Sequence, residues 1–265
     1  MRRIQVPEQM TSRLKLHVAL IAIIALAGCS QGLGTTATTT PTPATSSTTG
    51  EPSTTSSTIQ DVMELEGFVP LEPGSYSIDP DADPSTALRV EYEVPVEGWS
   101  QWIGAAKFAD YGHVGVSIAT VTNLVRDGCS DHSPADPPVG PSVDDLANAL
   151  ADLAPFRVTS PPEEVTIYGY SGKHLELTVP DLPVEGSGDD ARFAECVDGS
   201  LHSWIAPHLG GAFNGYNGEP GRTEELWILD VEGTRLVIQA TWSPPSPQKD
   251  VAEMRAILDS IRIQP

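Results

Sequence analysis

The sequence predicts an α+β domain, a mainly antiparallel sheet with two packed helices, preceded by a signal peptide and a disordered linker. Three observations predict it. Segments such as residues 88–94 (LRVEYEV) and 173–179 (KHLELTV) alternate with the two-residue period of half-buried strands. Two segments, opening at Ser142 and Ser246, carry helix-start residues followed by apolar residues at helical spacing. The first 58 residues hold neither pattern in a form that could build a core.

At the amino end, Arg2, Arg3, Arg13 and Lys15 precede an uncharged segment, residues 16–27, the layout of an export signal. Leu26-Ala27-Gly28-Cys29 follows and resembles the lipobox of bacterial lipoproteins. A retained transmembrane helix is the competing reading, but a span needs about 20 apolar residues and the uncharged segment has 12. Residues 1–28 are therefore expected to be a lipoprotein signal peptide. Cys29 is the expected lipidation site, because a diacylglyceryl group attaches to a nucleophilic sulfur. Each buried methylene adds about 0.8 kcal/mol, so several acyl chains such as palmitate hold a protein stably where one does not. The implied location is the outer face of the cytoplasmic membrane, with the lipid anchor as the membrane contact.

Residues 29–58 are rich in Thr, Ser and Pro and carry one charge, Glu51. Such a segment is a tether. As a flexible coil it reaches roughly 30 Å, and its prolines stiffen it. Its hydroxyl density also suits O-glycosylation, which composition does not separate from a bare spacer.

Residues 59–265 suit a single globular domain. The full chain has a net charge of −21, and removing residues 1–28 takes away four basic groups and one acidic group, making it more negative still. Nucleic acid and anionic lipid surfaces are thereby poor partners. With Cys29 committed to lipid, Cys129 and Cys196 remain, an even pair in an oxidising compartment and an expected disulfide. Two buried thiols or half of a metal site are the alternatives.

Within the domain, residues 88–94, 103–108, 114–124, 165–168 and 173–179 read as strands. Residues 226–229 and 235–242 flank Asp230-Val231-Glu232-Gly233-Thr234, where glycine can supply the positive φ of a hairpin. Gly169-Tyr170-Ser171-Gly172 reads as a second hairpin turn, since it lacks the final glycine of a nucleophile elbow. The first helix starts at Ser142 as N-cap, with Asp144 and Asp145 in its first turn and Val143, Leu146, Leu150 and Leu153 as its apolar stripe. Pro155 stops it. The second takes Ser246 as cap and Pro247 at its first position, buries Val251, Met254 and Leu258, and feeds a last strand near Ile261.

The succession Pro73-Gly74-Ser75-Tyr76, Gly98-Trp99, Cys129, Gly140-Pro141-Ser142-Val143-Asp144-Asp145-Leu146, Gly169-Tyr170-Ser171-Gly172-Lys173, Trp227-Ile228-Leu229-Asp230-Val231 and Asp259-Ser260-Ile261 resembles an uncharacterised family of secreted actinobacterial lipoproteins. That family has no assigned activity, so the resemblance implies location and fold coherence and transfers no catalytic residue. The closing helix and strand also resemble PsbP/Mog1-type domains.

Asp79, Asp81 and Asp83 are spaced as in oxygen-ligand calcium loops, but Pro84 and Val90 stand where the loop needs its glycine and its glutamate. An acidic turn is expected instead. His113, His132, His174, His202 and His208 are scattered, and Asp131-His132 beside Cys129 loses its thiolate to the expected disulfide. No catalytic residue, metal ligand or cofactor is assigned. The aromatic residues are the best binding candidates: Trp99 and Trp102, near Phe108 and Tyr111, and Phe213, Tyr216 and Asn217 in the glycine-rich loop 210–221. Filling the core is the alternative for the tryptophans. The expectation is a lipid-anchored binding module at the cell envelope, with a cell-wall glycan or envelope protein as partner. An envelope hydrolase whose site forms only in the fold, and an assembly factor for another exported protein, are the alternatives.

Overall fold

The computed structural model describes residues 59–265 apart from 66, 110, 111, 210 and 213–215. The expected signal peptide, Cys29, the linker, Tyr111 and Phe213 lie outside the described residues. In chain order the first strands are β1 (Gln60–Asp61), β2 (Pro70–Leu71), β3 (Gly74–Ile78), β4 (Arg89–Val94), β5 (Trp99–Trp102), β6 (Gly104–Ala109), β7 (Gly112–Thr120), β8 (Asn123–Asp127) and β9 (Asp131–Pro134). Helix α1 (Val143–Ala151) precedes β10 (Arg157–Ile167) and β11 (Tyr170–Thr178). Short strands β12 (Val184–Glu185), β13 (Arg192–Phe193), β14 (Ser200–Leu201), β15 (Trp204–Ala206), β16 (Gly211–Ala212) and β17 (Tyr216–Asn217) follow. Long β18 (Thr223–Val231) and β19 (Thr234–Trp242), helix α2 (Gln248–Asp259) and β20 (Arg262–Gln264) complete the domain.

The expected α+β class is corrected: the domain is mainly β, with strands in every part of the described chain and two helices of 9 and 12 residues. The reason is local. Residues 184–217 form strands of two or three residues each, too short to show a period of two, so a reading by periodicity misses them and overweights the helices.

Eight strands form the main sheet in the order β10-β11-β18-β19-β7-β6-β5-β2, every pairing antiparallel. Two tight turns set its register. Glu232 and Gly233 between β18 and β19 have φ of 52° and 88°, and Tyr168 and Gly169 between β10 and β11 have 55° and 89°. Two successive positive φ values match the right-handed twist of paired strands. Asp230 steadies the first turn by accepting the Gly233 N–H at 2.7 Å. Strand β10 carries two register shifts, between Val158 and Ser160 and between Ser160 and Glu163.

Neighbouring residues on a strand point to opposite faces, which places the helices. Lys173 bonds Asp144 of α1 at 2.9 Å, whereas the next residue, His174, meets Glu225, which Arg255 of α2 also holds. The helices thus cover opposite faces. Helix α1 has the expected start: the Ser142 hydroxyl accepts the Asp145 N–H at 3.1 Å and the Asp145 carboxylate accepts the Ser142 N–H at 3.0 Å. It buries Leu146, Ala147 and Leu150, with each leucine worth about 1.5–3 kcal/mol. Helix α2 starts later than expected, with Pro247 as its N-cap. The Ser246 hydroxyl instead donates to the His113 carbonyl at 3.1 Å and accepts the Ser243 N–H at 3.1 Å, tying the helix entry to β7. The helix buries Met254, Ile257 and Leu258, while Val251 stays half-exposed. Lys107 pins α2 to β6 through Asp250 and Glu253, each at 2.7 Å.

Strands β1, β3, β4 and β20 form a smaller sheet, and β8, β9, β15 and β16 another. The Cys129 and Cys196 sulfurs lie at disulfide distance beside this last sheet.

Candidate functional site

Strand register assembles a row of rings, two of them exposed. Pairing of Pro70 with Ser100 and Leu71 with Trp99, continued by the Gln101 N–H on the Val69 carbonyl at 2.7 Å, brings Phe68 opposite Trp102. Their rings stack at 5.3 Å, 15° apart. Phe108 meets Phe68 edge to face at 5.7 Å. Phe108 is also the cross-strand partner of His113, with ring centres 5.6 Å apart. Because Lys107 points to α2, Phe108 points to the other face. Phe68 and Phe108 are 64% and 55% exposed, an unusual cost for two phenylalanines side by side.

At its far end the row becomes polar. The His113 Nδ1 lies 3.3 Å from Glu219, whose carboxylate also accepts from Arg222 Nη1 at 2.5 Å and the Ser243 hydroxyl at 3.1 Å. Arg222 is buried and reaches the Thr241 hydroxyl at 3.2 Å. These donors outweigh burial and hold the Glu219 carboxyl down to about 2. Burial, reinforced by Arg222, pushes His113 below its ordinary imidazole value. Glutamate is therefore ionised and histidine neutral near pH 7. Further along the same sheet face, Gln239 donates to Glu224 at 2.8 Å, both fully buried. A buried carboxylate on a sheet face is costly unless bonded, and this one is.

The sequence candidates divide accordingly. Trp102 belongs to the row. Trp99, three residues away and so on the other face, is fully buried in the core, which corrects its assignment as a binding residue. Tyr216 and Asn217 form β17 and pair with Leu201 and Ser200, while Phe213 lies outside the described residues. Glu219, two residues beyond Asn217, ties the base of the glycine-rich segment to His113. Phe68, Glu219 and Arg222 carry no signal in the sequence, and His113 figures there only among scattered histidines. The odd spacing of Trp99 and Trp102 puts them on opposite faces of one strand, but the pairing of His113 with Glu219 spans 106 residues.

The remaining candidates have structural partners. Asp79 pairs with Arg89 at 3.1 Å, while Asp81 and Asp83 accept N–H groups of their own turn. Among the described residues no group of three or more His, Cys, Asp or Glu could hold a metal ion. His132 and His202 lie ring to ring at 4.3 Å, and the Ser200 hydroxyl is 3.2 Å from His202 Nε2. A serine–histidine pair can act as nucleophile and base, but Ser200 is buried and among the described residues no carboxylate orients His202 Nδ1, which is itself buried. A cavity of about 290 Å³ lies between α1 and the two hairpins, lined by Ser171, Lys173 and Arg235 among others. Its cations are engaged: Lys173 bonds Asp144 and Glu164, and Arg235 donates to the carbonyls of Val121, Thr122, Gly140 and Ser142.

No family model matches the chain, and no curated protein matches it. One solved structure is similar: LpqN, involved in cell envelope biogenesis of Mycobacterium tuberculosis, at 11% identity, covering 77% of this chain and 95% of that one, with a TM-score of 0.30. A likeness at that TM-score carries no argument about fold or activity. The PsbP/Mog1 likeness finds no support.

Proposed function

We propose that this chain is an exported, lipid-anchored binding module of the cell envelope that holds its ligand on the row of exposed Phe68, half-buried Trp102 and exposed Phe108. The carrying observation is that row, with two phenylalanines more than half exposed beside a hydrogen-bonded histidine and glutamate. Aromatic faces held in place by strand pairing bind without paying much ordering entropy. Export and anchoring rest on the charged-then-apolar leader and on Leu26-Ala27-Gly28-Cys29. The cysteine pair at disulfide distance suits an oxidising compartment. Residues 1–28 act as the signal, 29–58 as the tether and 59–265 as the working domain.

The test has two arms. Cys29→Ala is expected to release the protein from membranes or leave an unprocessed precursor; a cleaved variant that still partitions into membranes contradicts the anchor. Phe68→Ala/Phe108→Ala in soluble protein is expected to abolish co-sedimentation with delipidated cell-envelope fragments, with an unchanged circular dichroism spectrum. Retention equal to wild type contradicts the binding face.

A further inference from the structure

Resting on that reading, we infer that the ligand is a neutral glycan whose pyranose C–H faces lie on the Phe68 and Phe108 rings and whose hydroxyls bond His113 and Glu219. Two chemistries meet within one strand pair. The rings offer flat, electron-rich faces that suit the C–H bonds of a sugar ring. Beyond Phe108 the surface offers an imidazole with its side chain 19% exposed and a carboxylate 31% exposed, and both accept from hydroxyls, because neutral His113 turns its one ring N–H to Glu219 and keeps the other nitrogen as an acceptor. An amphipathic ligand with an apolar face and a hydroxylated rim satisfies both at once.

Charge narrows the class. Glu219 is matched by Arg222 at 2.5 Å, and His113 is neutral near pH 7, so the polar end carries no net charge to attract a cation. The net charge of −21 on the whole chain opposes polyanions. An extended peptide is disfavoured as well: the adjoining sheet edge is β2, two residues long and including Pro70, which lacks an N–H for strand addition. Glu219 is a binding residue here, and Arg222 a positioning residue that fixes its carboxylate.

The experiment is calorimetric titration of the full exported chain in detergent with neutral glucose- and N-acetylglucosamine-based tetrasaccharides, a polyuronate, a lysine-rich peptide and vesicles of anionic phospholipid. At least one neutral tetrasaccharide is expected to bind, with the polyuronate at least tenfold weaker. Phe68→Ala should weaken that binding about tenfold, the loss of one aromatic contact, whereas Phe68→Tyr should restore it. Glu219→Gln should weaken it with the fold retained by circular dichroism. Binding of peptide or vesicles with no neutral sugar bound overturns the glycan class. Absence of sugar binding while envelope retention still depends on Phe68 also overturns it, leaving the binding module intact; retention independent of Phe68 removes the parent reading instead.

Discussion

Replacing Arg235 tests how the domain holds α1 against the sheet. Its guanidinium donates to four backbone carbonyls: Val121 at 3.0 Å, Thr122 at 3.0 Å, Gly140 at 2.6 Å and Ser142 at 3.0 Å. These come from two separate segments, the loop after β7 and the turn that enters α1. One side chain on β19 thus staples both. A hydrogen bond to a charged group contributes about 1.5–3 kcal/mol when buried, but water can replace part of it at this half-buried site. Arg235→Ala is therefore expected to cost about 3 kcal/mol in total, which lowers the melting temperature by about 6–12 °C for a domain of this size. Arg235→Lys keeps the charge and loses the planar fork, so it should recover less than half of that loss. Thermal unfolding followed by circular dichroism measures both. If the lysine variant melts with wild type, charge rather than fork geometry does the holding and this reasoning fails.

Other expectations follow from the same contacts. Burial lowers His113, His202 and His208 from the ordinary imidazole value, so the unfolded chain takes protons first. Their contribution to stability is complete above about pH 6.5 and declines as pH falls through that value, seen as a falling urea midpoint; a flat midpoint between pH 7 and 5 contradicts it. Glu219, held at about 2, adds stability that persists until pH drops below its ordinary value and is lost toward 2. Joint replacement of Cys129 and Cys196 by serine opens a link of sequence separation 67 and should cost about 4 kcal/mol in the chain-entropy picture; an unchanged denaturation midpoint would show that the pair adds nothing. In Gly172→Ala the new methyl would overlap the Ile228 carbonyl across the β11–β18 pairing, so soluble yield and melting temperature should both drop.

What the sequence made legible was local. The Ser142–Asp145 cap, the Glu232-Gly233 turn and the strands they bound each carry their chemistry within a few residues, and the structure has them. The start of α2 shifted because the Ser246 hydroxyl found a nonlocal partner in the His113 carbonyl, which no reading of adjacent residues could weigh against a cap. The fold class went astray over residues 184–217, where strands of two or three residues leave no period. The site was only half visible. Trp102 stood out as aromatic, but Phe68 becomes its neighbour through the β2–β5 register, and the His113–Glu219 pair closes across most of the domain.

The most direct measurement is acrylamide quenching of tryptophan fluorescence with and without delipidated envelope fragments. Trp99, Trp204 and Trp227 are buried, so a change in quenching reports chiefly on Trp102 and Trp242. Fragments are expected to shield wild type, Trp102→Phe to abolish the shielding signal, and Phe68→Ala/Phe108→Ala to prevent shielding altogether. Shielding that persists undiminished in the double alanine variant would contradict the claim that the aromatic row is where this protein holds its ligand.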